Sequence, residues 1–129
     1  MKTLFMAAVA SLSLATAALA ADPVEGVWQT QPDQGAYAHV TIKPCGAAFC
    51  GVISRSFKDG AEFKSANQGK QIVIDMMPKG GGKYEGKVWR PSNNKIYMGK
   101  IALSGNQMKL SGCIAGGLLC SKQTWVKVK

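Results

Sequence analysis

The segment Ala38-His39-Val40-Thr41-Ile42-Lys43 decides the fold class, because apolar and polar side chains alternate along it. Successive side chains of a strand point to opposite sides, so its alanine, valine and isoleucine share one face. The pattern predicts a half-buried β-strand that places His39 on the solvated face.

The same alternation recurs along the chain. Ile72, Ile74 and Met76 share one predicted face of a second strand, and Met108 and Leu110 share one face of a third. Five further strands are predicted at Val27 to Thr30, Gly51 to Phe57, Tyr84 to Trp89, Ile96 to Leu103 and Leu118 to Val128. The sequence therefore predicts an all-β chain of about eight strands.

Short turns separate these strands, as at Lys58-Asp59-Gly60 and Ser104-Gly105-Asn106. Connections this short make neighbouring strands antiparallel, because a parallel crossover needs a dozen or more residues. Eight such strands form a closed barrel or a two-layer sandwich. Closure removes exposed edges, so we predict a single antiparallel up-and-down β-barrel. The longest irregular stretch, 59–69, is predicted as a loop or lid.

The first twenty residues are typical of a secretion signal. Lys2 precedes an apolar run that ends in Ala18-Leu19-Ala20, a small-x-small cleavage pattern. We predict a cleaved signal peptide at 1–20 and one domain at 21–129, with the net charge falling from +9 to +8 through loss of Lys2. No later apolar run has the length of a membrane helix, so we expect no transmembrane segment after cleavage. The expected location is periplasmic or secreted.

Four cysteines remain in the exported domain, and an even count in such a chain indicates two disulfides. Three pairings are possible, and the spacings favour the local bridges Cys45–Cys50 and Cys113–Cys120. Neither spacing is Cys-x-x-Cys, and the single histidine leaves only an all-cysteine zinc site. We therefore expect structural disulfides, with no metal and no cofactor.

Several segments, taken in order, resemble a family of small exported bacterial proteins called domain of unknown function 2147. They are Gly26-Val27-Trp28, Cys45-Gly46, Phe49-Cys50-Gly51-Val52-Ile53, Tyr84-Glu85-Gly86-Lys87-Val88, Lys95-Ile96-Tyr97, Met108 to Cys113 and Gln123-Thr124-Trp125. The resemblance implies a lipocalin-like β-barrel and no particular activity. The Gly-x-Trp of the first strand also resembles the lipocalin entry motif, in which a basic residue covers the tryptophan. Lys127 and Arg90 are the candidates for that cover.

No catalytic constellation is evident in the sequence. His39 has no nucleophile that the sequence pairs with it, and Gly-x-Ser-x-Gly is absent. The segment Gly80-Gly81-Gly82-Lys83 lacks the spacing and the Ser or Thr of a phosphate-binding loop. We therefore predict a protein that is not an enzyme.

Aromatic and methionine side chains are the candidates for binding a ligand, because ligand pockets are mostly apolar with a few polar anchors. The candidate set is Trp28, Met76, Tyr84, Trp89, Tyr97, Met98 and Trp125. The alternative is that these side chains close the barrel ends and pack its core. Tyr97 is out of phase with Ile96 and Met98, so only one of these two sets faces inward.

Two functional hypotheses follow. The first is a lipocalin-like carrier that binds a small apolar or amphipathic ligand in the barrel without chemistry. The alternative is an interaction module whose basic outer face, or the segment 59–69, docks on an anionic envelope component or a protein. Lysines spread over an exported chain with no recognised binding module do not indicate nucleic acid.

Overall fold

The computed structural model describes residues 21–129, so the predicted secretion signal lies outside the described residues. They form nine strands and one short 3₁₀ turn, Ala115–Gly117. The strands are β1 (Gly26–Gln29), β2 (Ala36–Cys45), β3 (Ala48–Lys58), β4 (Ala61–Phe63), β5 (Gln71–Gly80), β6 (Lys83–Arg90), β7 (Lys95–Ser104), β8 (Gln107–Ile114) and β9 (Leu119–Lys127). Within this part of the chain, no helix has the length and apolar character needed to cross a bilayer.

Eight of the strands close into an antiparallel barrel. The order around it is β1-β2-β3-β5-β6-β7-β8-β9, and β9 pairs again with β1. This arrangement confirms the predicted barrel. β4 stands outside the ring as a short hairpin partner of β3, and it lies inside the segment predicted as a loop.

Register irregularities on both sides of β5 change the predicted alternation. Ile74 pairs with Lys87 and Met77 with Glu85, so Asp75 and Met76 together oppose Gly86. Asp75 has a positive φ of 48°, and a Cβ at Gly86 would lie 2.5 Å from the Asp75 carbonyl oxygen. This β-bulge shifts the phase of the strand, so Met76 is fully buried.

Two register shifts between β3 and β5 flank the pairing of Gly51 with Val73, which is also fully buried. Ile72 packs against the core, whereas Ile74 falls on the outer face. The predicted shared face of Ile72, Ile74 and Met76 is therefore interrupted, because a bulge adds a residue that a strict period of two does not include.

The N-terminal segment closes one end of the barrel, called here the closed end. Val24 and Trp28 are fully buried, and the Trp28 indole N–H donates a 2.9 Å hydrogen bond to the Val24 carbonyl. The Tyr84 hydroxyl donates to Asp22 Oδ1, which also accepts the Val24 N–H. Phe49 packs edge-on against Tyr84, with ring centroids 5.9 Å apart. These contacts fill the closed end with side chains.

Lys127 covers the tryptophan of the first strand. Its ammonium lies 5.6 Å from the centroid of the Trp28 ring and donates a hydrogen bond to the Pro23 carbonyl. Of the two basic residues predicted as the cover, the structure places Lys127 there. Such a cation–π contact ties the last strand to the first.

One disulfide lies near each end of the barrel. Cys45–Cys50 joins β2 to β3 beside the closed end, and Cys113–Cys120 joins β8 to β9 at the opposite, open end. The structure confirms the two local pairings. Each bridge braces the turn that it spans, because a cross-link restricts the unfolded chain.

Replacement of Trp28 tests the importance of the closed end. Trp28→Ala removes a fully buried ring and its hydrogen bond, so we expect the free energy of unfolding to fall by about 3–5 kcal/mol. Trp89→Ala is the matched control, because Trp89 is partly exposed on the barrel wall. Urea denaturation measures both variants, and equal losses would contradict a specific role for Trp28.

Tyr84 gives the closed end a dependence on alkaline pH. Burial raises the pKa of its hydroxyl above the ordinary value of 10.0, and the hydrogen bond to Asp22 raises it further. The unfolded chain then loses this proton first, so the stabilisation is present below about pH 10 and decreases above it. Urea titrations should show a steeper loss of stability for the wild type than for Tyr84→Phe. A Tyr84→Phe protein that keeps the wild-type slope contradicts the assignment.

Candidate functional site

The open end of the barrel holds a cavity of about 530 Å³. Its walls come from the five neighbouring strands β5 to β9, so the cavity lies toward one side of the open end. The lining residues are Ile72, Val88, Trp89, Arg90, Pro91, Tyr97, Leu110, Gly112, Ile114, Leu119, Cys120, Ser121, Gln123 and Trp125. A volume of this size falls in the range of small-molecule sites, about 300–1,000 Å³.

The cavity is apolar at its floor and more polar on one wall. Val88, Leu110 and Trp125 are buried there as part of the barrel core. The Trp125 indole N–H donates a 3.1 Å hydrogen bond to Gln123 Oε1, which leaves the Gln123 amide N–H groups as donors beside the cavity. The Ser121 hydroxyl, on the same strand as Gln123, also lines the cavity. The arrangement offers a surface for an apolar group and a small number of hydrogen-bond donors.

Of the seven candidate ligand-binding residues, three line this cavity. Tyr97 and Trp125 face it directly, since each is in phase with the buried residues of its strand. Trp89 contributes to the rim, but its alternation with buried Val88 directs its indole to the outer face. There the indole N–H donates to Asn94 Oδ1 at 2.9 Å.

The other four candidates lie away from the cavity. Trp28 and Tyr84 fill the closed end, and Met76 is buried in the core. Met98 lies on the outer face, where its sulfur is close to the turn at Gly117. The structure thus resolves the choice left open by the alternation in β7, because Tyr97 faces inward while Met98 faces outward.

Several lining residues were not among the sequence candidates, including Ile72, Leu110, Ser121, Gln123 and Arg90. Leu110 is in phase with buried Met108, and Ser121 and Gln123 are in phase with Trp125. The alternation therefore contained the information that these side chains face inward. It did not show which end of the barrel is empty, because that depends on the N-terminal segment that fills the other end.

One side of the cavity ends at an open strand edge, formed by residues 119–123 of β9. In the described chain, β9 pairs with β1 only at Val126 and Lys127. The Thr124 N–H reaches Gln31 Oε1 instead, at 2.9 Å, and residues 119–123 are exposed. Backbone groups alternate in direction along a strand, so those of Cys120 and Lys122 point out of this edge as Thr124 does.

His39 lies on the outer face, in an aromatic cluster with Tyr37 and Phe57. Tyr37 and Phe57 stack with centroids 4.9 Å apart, and the His39 ring lies 4.7 Å from that of Phe57. Burial lowers the pKa of His39, and the Arg55 guanidinium lowers it further. The packing of this cluster accounts for the histidine without a reacting group.

Among the described residues, one group of potential metal ligands comes together: Cys45, Cys50 and Asp75. The two sulfurs are joined to each other, and Asp75 Oδ1 lies 3.6 Å from Cys50 Sγ. A cysteine binds a metal through its thiolate, so the two bonded sulfurs do not form a metal site with Asp75.

Comparison with known proteins agrees with this architecture. Residues 26–127 match the model of a family described as an uncharacterized protein conserved in bacteria, DUF2147. No curated protein matches the chain significantly. Among solved structures, the chain is similar to protein HP1028 from Helicobacter pylori, reported to belong to the lipocalin family. The two are 19% identical, with a TM-score of 0.64 over 81% of this chain and 82% of that one.

The solved structure supports the lipocalin-like fold alone at this level of identity. The family match extends over nearly all of the described barrel, and two disulfides in a bacterial family indicate an exported protein. The chain therefore belongs to the DUF2147 family.

Proposed function

We propose that this protein is a periplasmic or secreted carrier that binds a small apolar or amphipathic molecule in the open end of its barrel, without chemistry. One observation carries the proposal: the cavity of about 530 Å³ between Tyr97, Leu110 and Trp125, at the end that the N-terminal segment does not fill. Lipocalin-like folds support such a role by analogy only.

Burial of apolar surface supplies the affinity in this proposal. Each 100 Å² of apolar surface withdrawn from water contributes roughly 2.5 kcal/mol, from a coefficient of about 25 cal/mol per Å². Val88, Leu110 and Trp125 provide that surface on fixed strands. The Gln123 amide and the Ser121 hydroxyl orient a polar group of the ligand. The disulfide Cys113–Cys120 braces the strand pair that carries these polar groups.

Blocking the cavity tests the proposal. Ser121→Trp places a large side chain into the cavity, whereas Lys122→Trp places the same side chain on the opposite face of the same strand. With N-phenyl-1-naphthylamine, a neutral fluorescent probe, we expect saturable binding by the wild type and by Lys122→Trp. Ser121→Trp should bind about ten-fold more weakly, equivalent to about 1.4 kcal/mol.

Thermal unfolding of both variants serves as the control for folding. Both positions are exposed, so we expect both variants to unfold near the wild-type temperature. A wild-type protein that binds neither this probe nor other apolar molecules would overturn the carrier proposal. Equal affinity of the two variants would place the binding site elsewhere.

A second candidate function is docking of the open end on an anionic lipid bilayer. Five large apolar side chains are exposed around this end: Ile96, Met98, Ile114, Leu118 and Leu119. Leu118 is 86% exposed at the tip of the β8–β9 turn. The adjacent β6–β7 turn carries Arg90 and Lys95 and no acidic residue. Apolar tips flanked by basic residues are typical of surfaces that meet anionic membranes.

Vesicle co-sedimentation distinguishes this function from the carrier. We expect binding to phosphatidylglycerol vesicles at low salt, weaker binding at high salt, and little binding to phosphatidylcholine. Leu118→Ser should weaken the vesicle binding, while Val52→Ser on the wall away from this end should not. Binding to the cavity probe should remain nearly independent of salt. Absence of vesicle binding at low salt would remove this second candidate.

A further inference from the structure

Arg90 occupies a distinct position in the cavity. It is in phase with the inward-facing Tyr84 and Val88 on β6, and it lines the rim at the top of that strand. Among the described residues that line the cavity, it is the only charged one. The walls therefore carry one positive charge and no negative one.

The other arginine of the chain, Arg55, has a carboxylate partner and serves for comparison. Arg55 forms a two-pronged contact with Glu62, with a shortest N–O distance of 2.7 Å. Within residues 21–129, no carboxylate forms an ion pair with the Arg90 side chain. Arg90 is exposed, it lines the cavity, and its guanidinium carries five N–H donors.

From this geometry we infer that the ligand is an anionic amphiphile, a single apolar chain that ends in a carboxylate or a similar oxyanion. The apolar chain lies against Val88, Leu110 and Trp125, and the oxyanion accepts two hydrogen bonds from the Arg90 guanidinium at the rim. This inference rests on the proposed carrier function and adds the chemical class of its ligand. Arginine suits the role, because its planar fork matches the two oxygens of a carboxylate.

The orientation of the ligand follows from the polarity of the cavity. A charged group at the floor would meet the buried side chains of Leu110 and Trp125, where its loss of hydration has no compensation. At the rim the same group keeps part of its hydration and gains the guanidinium. The apolar chain therefore enters first, and the anionic end remains at the entrance.

A comparison of head groups tests the inference. Decanoate, decanol and decylamine share one apolar chain and differ in charge, and each is measured at neutral pH by displacement of N-phenyl-1-naphthylamine. We expect the wild type to bind decanoate about ten-fold more tightly than decanol, and decylamine more weakly than decanol. Arg90→Gln should remove the preference, so that this variant binds decanoate and decanol with equal affinity.

Lys95→Gln is the matched control, because Lys95 is a basic residue of the same turn that does not line the cavity. It should keep the preference for decanoate, which separates a local contact from the general attraction of a basic protein. Arg90→Lys should keep only part of it, because an ammonium does not bind a carboxylate with two parallel hydrogen bonds.

The possible failures are distinguishable. If decanol and decanoate bind the wild type equally, the carrier function stands and the anionic class is wrong. If Arg90→Gln keeps the full preference, or Lys95→Gln loses it, Arg90 is not the anchor. If none of the three molecules and no neutral probe binds, the carrier function itself fails.

Discussion

The closure of the barrel depends on a short seam between its first and last strands. β1 has four residues, and only Trp28 and Gln29 are in register with β9. Three further hydrogen bonds extend the seam at the closed end. The Val27 N–H donates to the Lys129 carbonyl, and the Val128 and Lys129 N–H groups donate to the Val27 carbonyl. Because the seam is confined to the closed end, β1 and β9 are held together there and are not paired toward the open end.

This confinement explains the difference between the two ends. At the closed end, the N-terminal segment crosses the barrel opening and buries Val24 and Trp28 in the core. At the open end, no segment of the described chain fills the space between Tyr97 and Trp125, and a cavity remains. A single chain therefore combines a solid core, which supplies stability, with an open cavity on rigid strands. Ligand sites on rigid strands are more precise than those on loops.

Much of the fold was predictable from local sequence patterns. The alternation around Val40 and the short glycine-containing turns predicted antiparallel strands, and the cysteine spacings favoured the observed pairings. The bulge at Asp75 was not predictable, because it depends on which residue of the neighbouring strand lies opposite. That residue is Gly86, and a Cβ there would collide with the Asp75 carbonyl oxygen. β4 was also missed, since three exposed residues carry too little periodicity to stand out from a loop.

The candidate site was less predictable than the fold. Residue type alone placed Trp28, Tyr84 and Trp125 in one group, yet the first two fill the closed end and the third lines the cavity. What separates them is their height along the barrel axis, which depends on strand register and on the path of the N-terminal segment. Arg90 is prominent only in three dimensions, where no carboxylate of residues 21–129 pairs with it, in contrast to the pairing of Arg55 with Glu62.

The short seam also leaves a hazard that the sequence counters. The upper half of β9 offers free backbone donors and acceptors, and such an edge can recruit a strand from another molecule and start aggregation. Lys122 stands in the middle of that edge, where the approach of an identical chain would bring two like charges together. A lysine at this position disfavours the pairing of two such edges, and the entrance of the barrel stays open beside it.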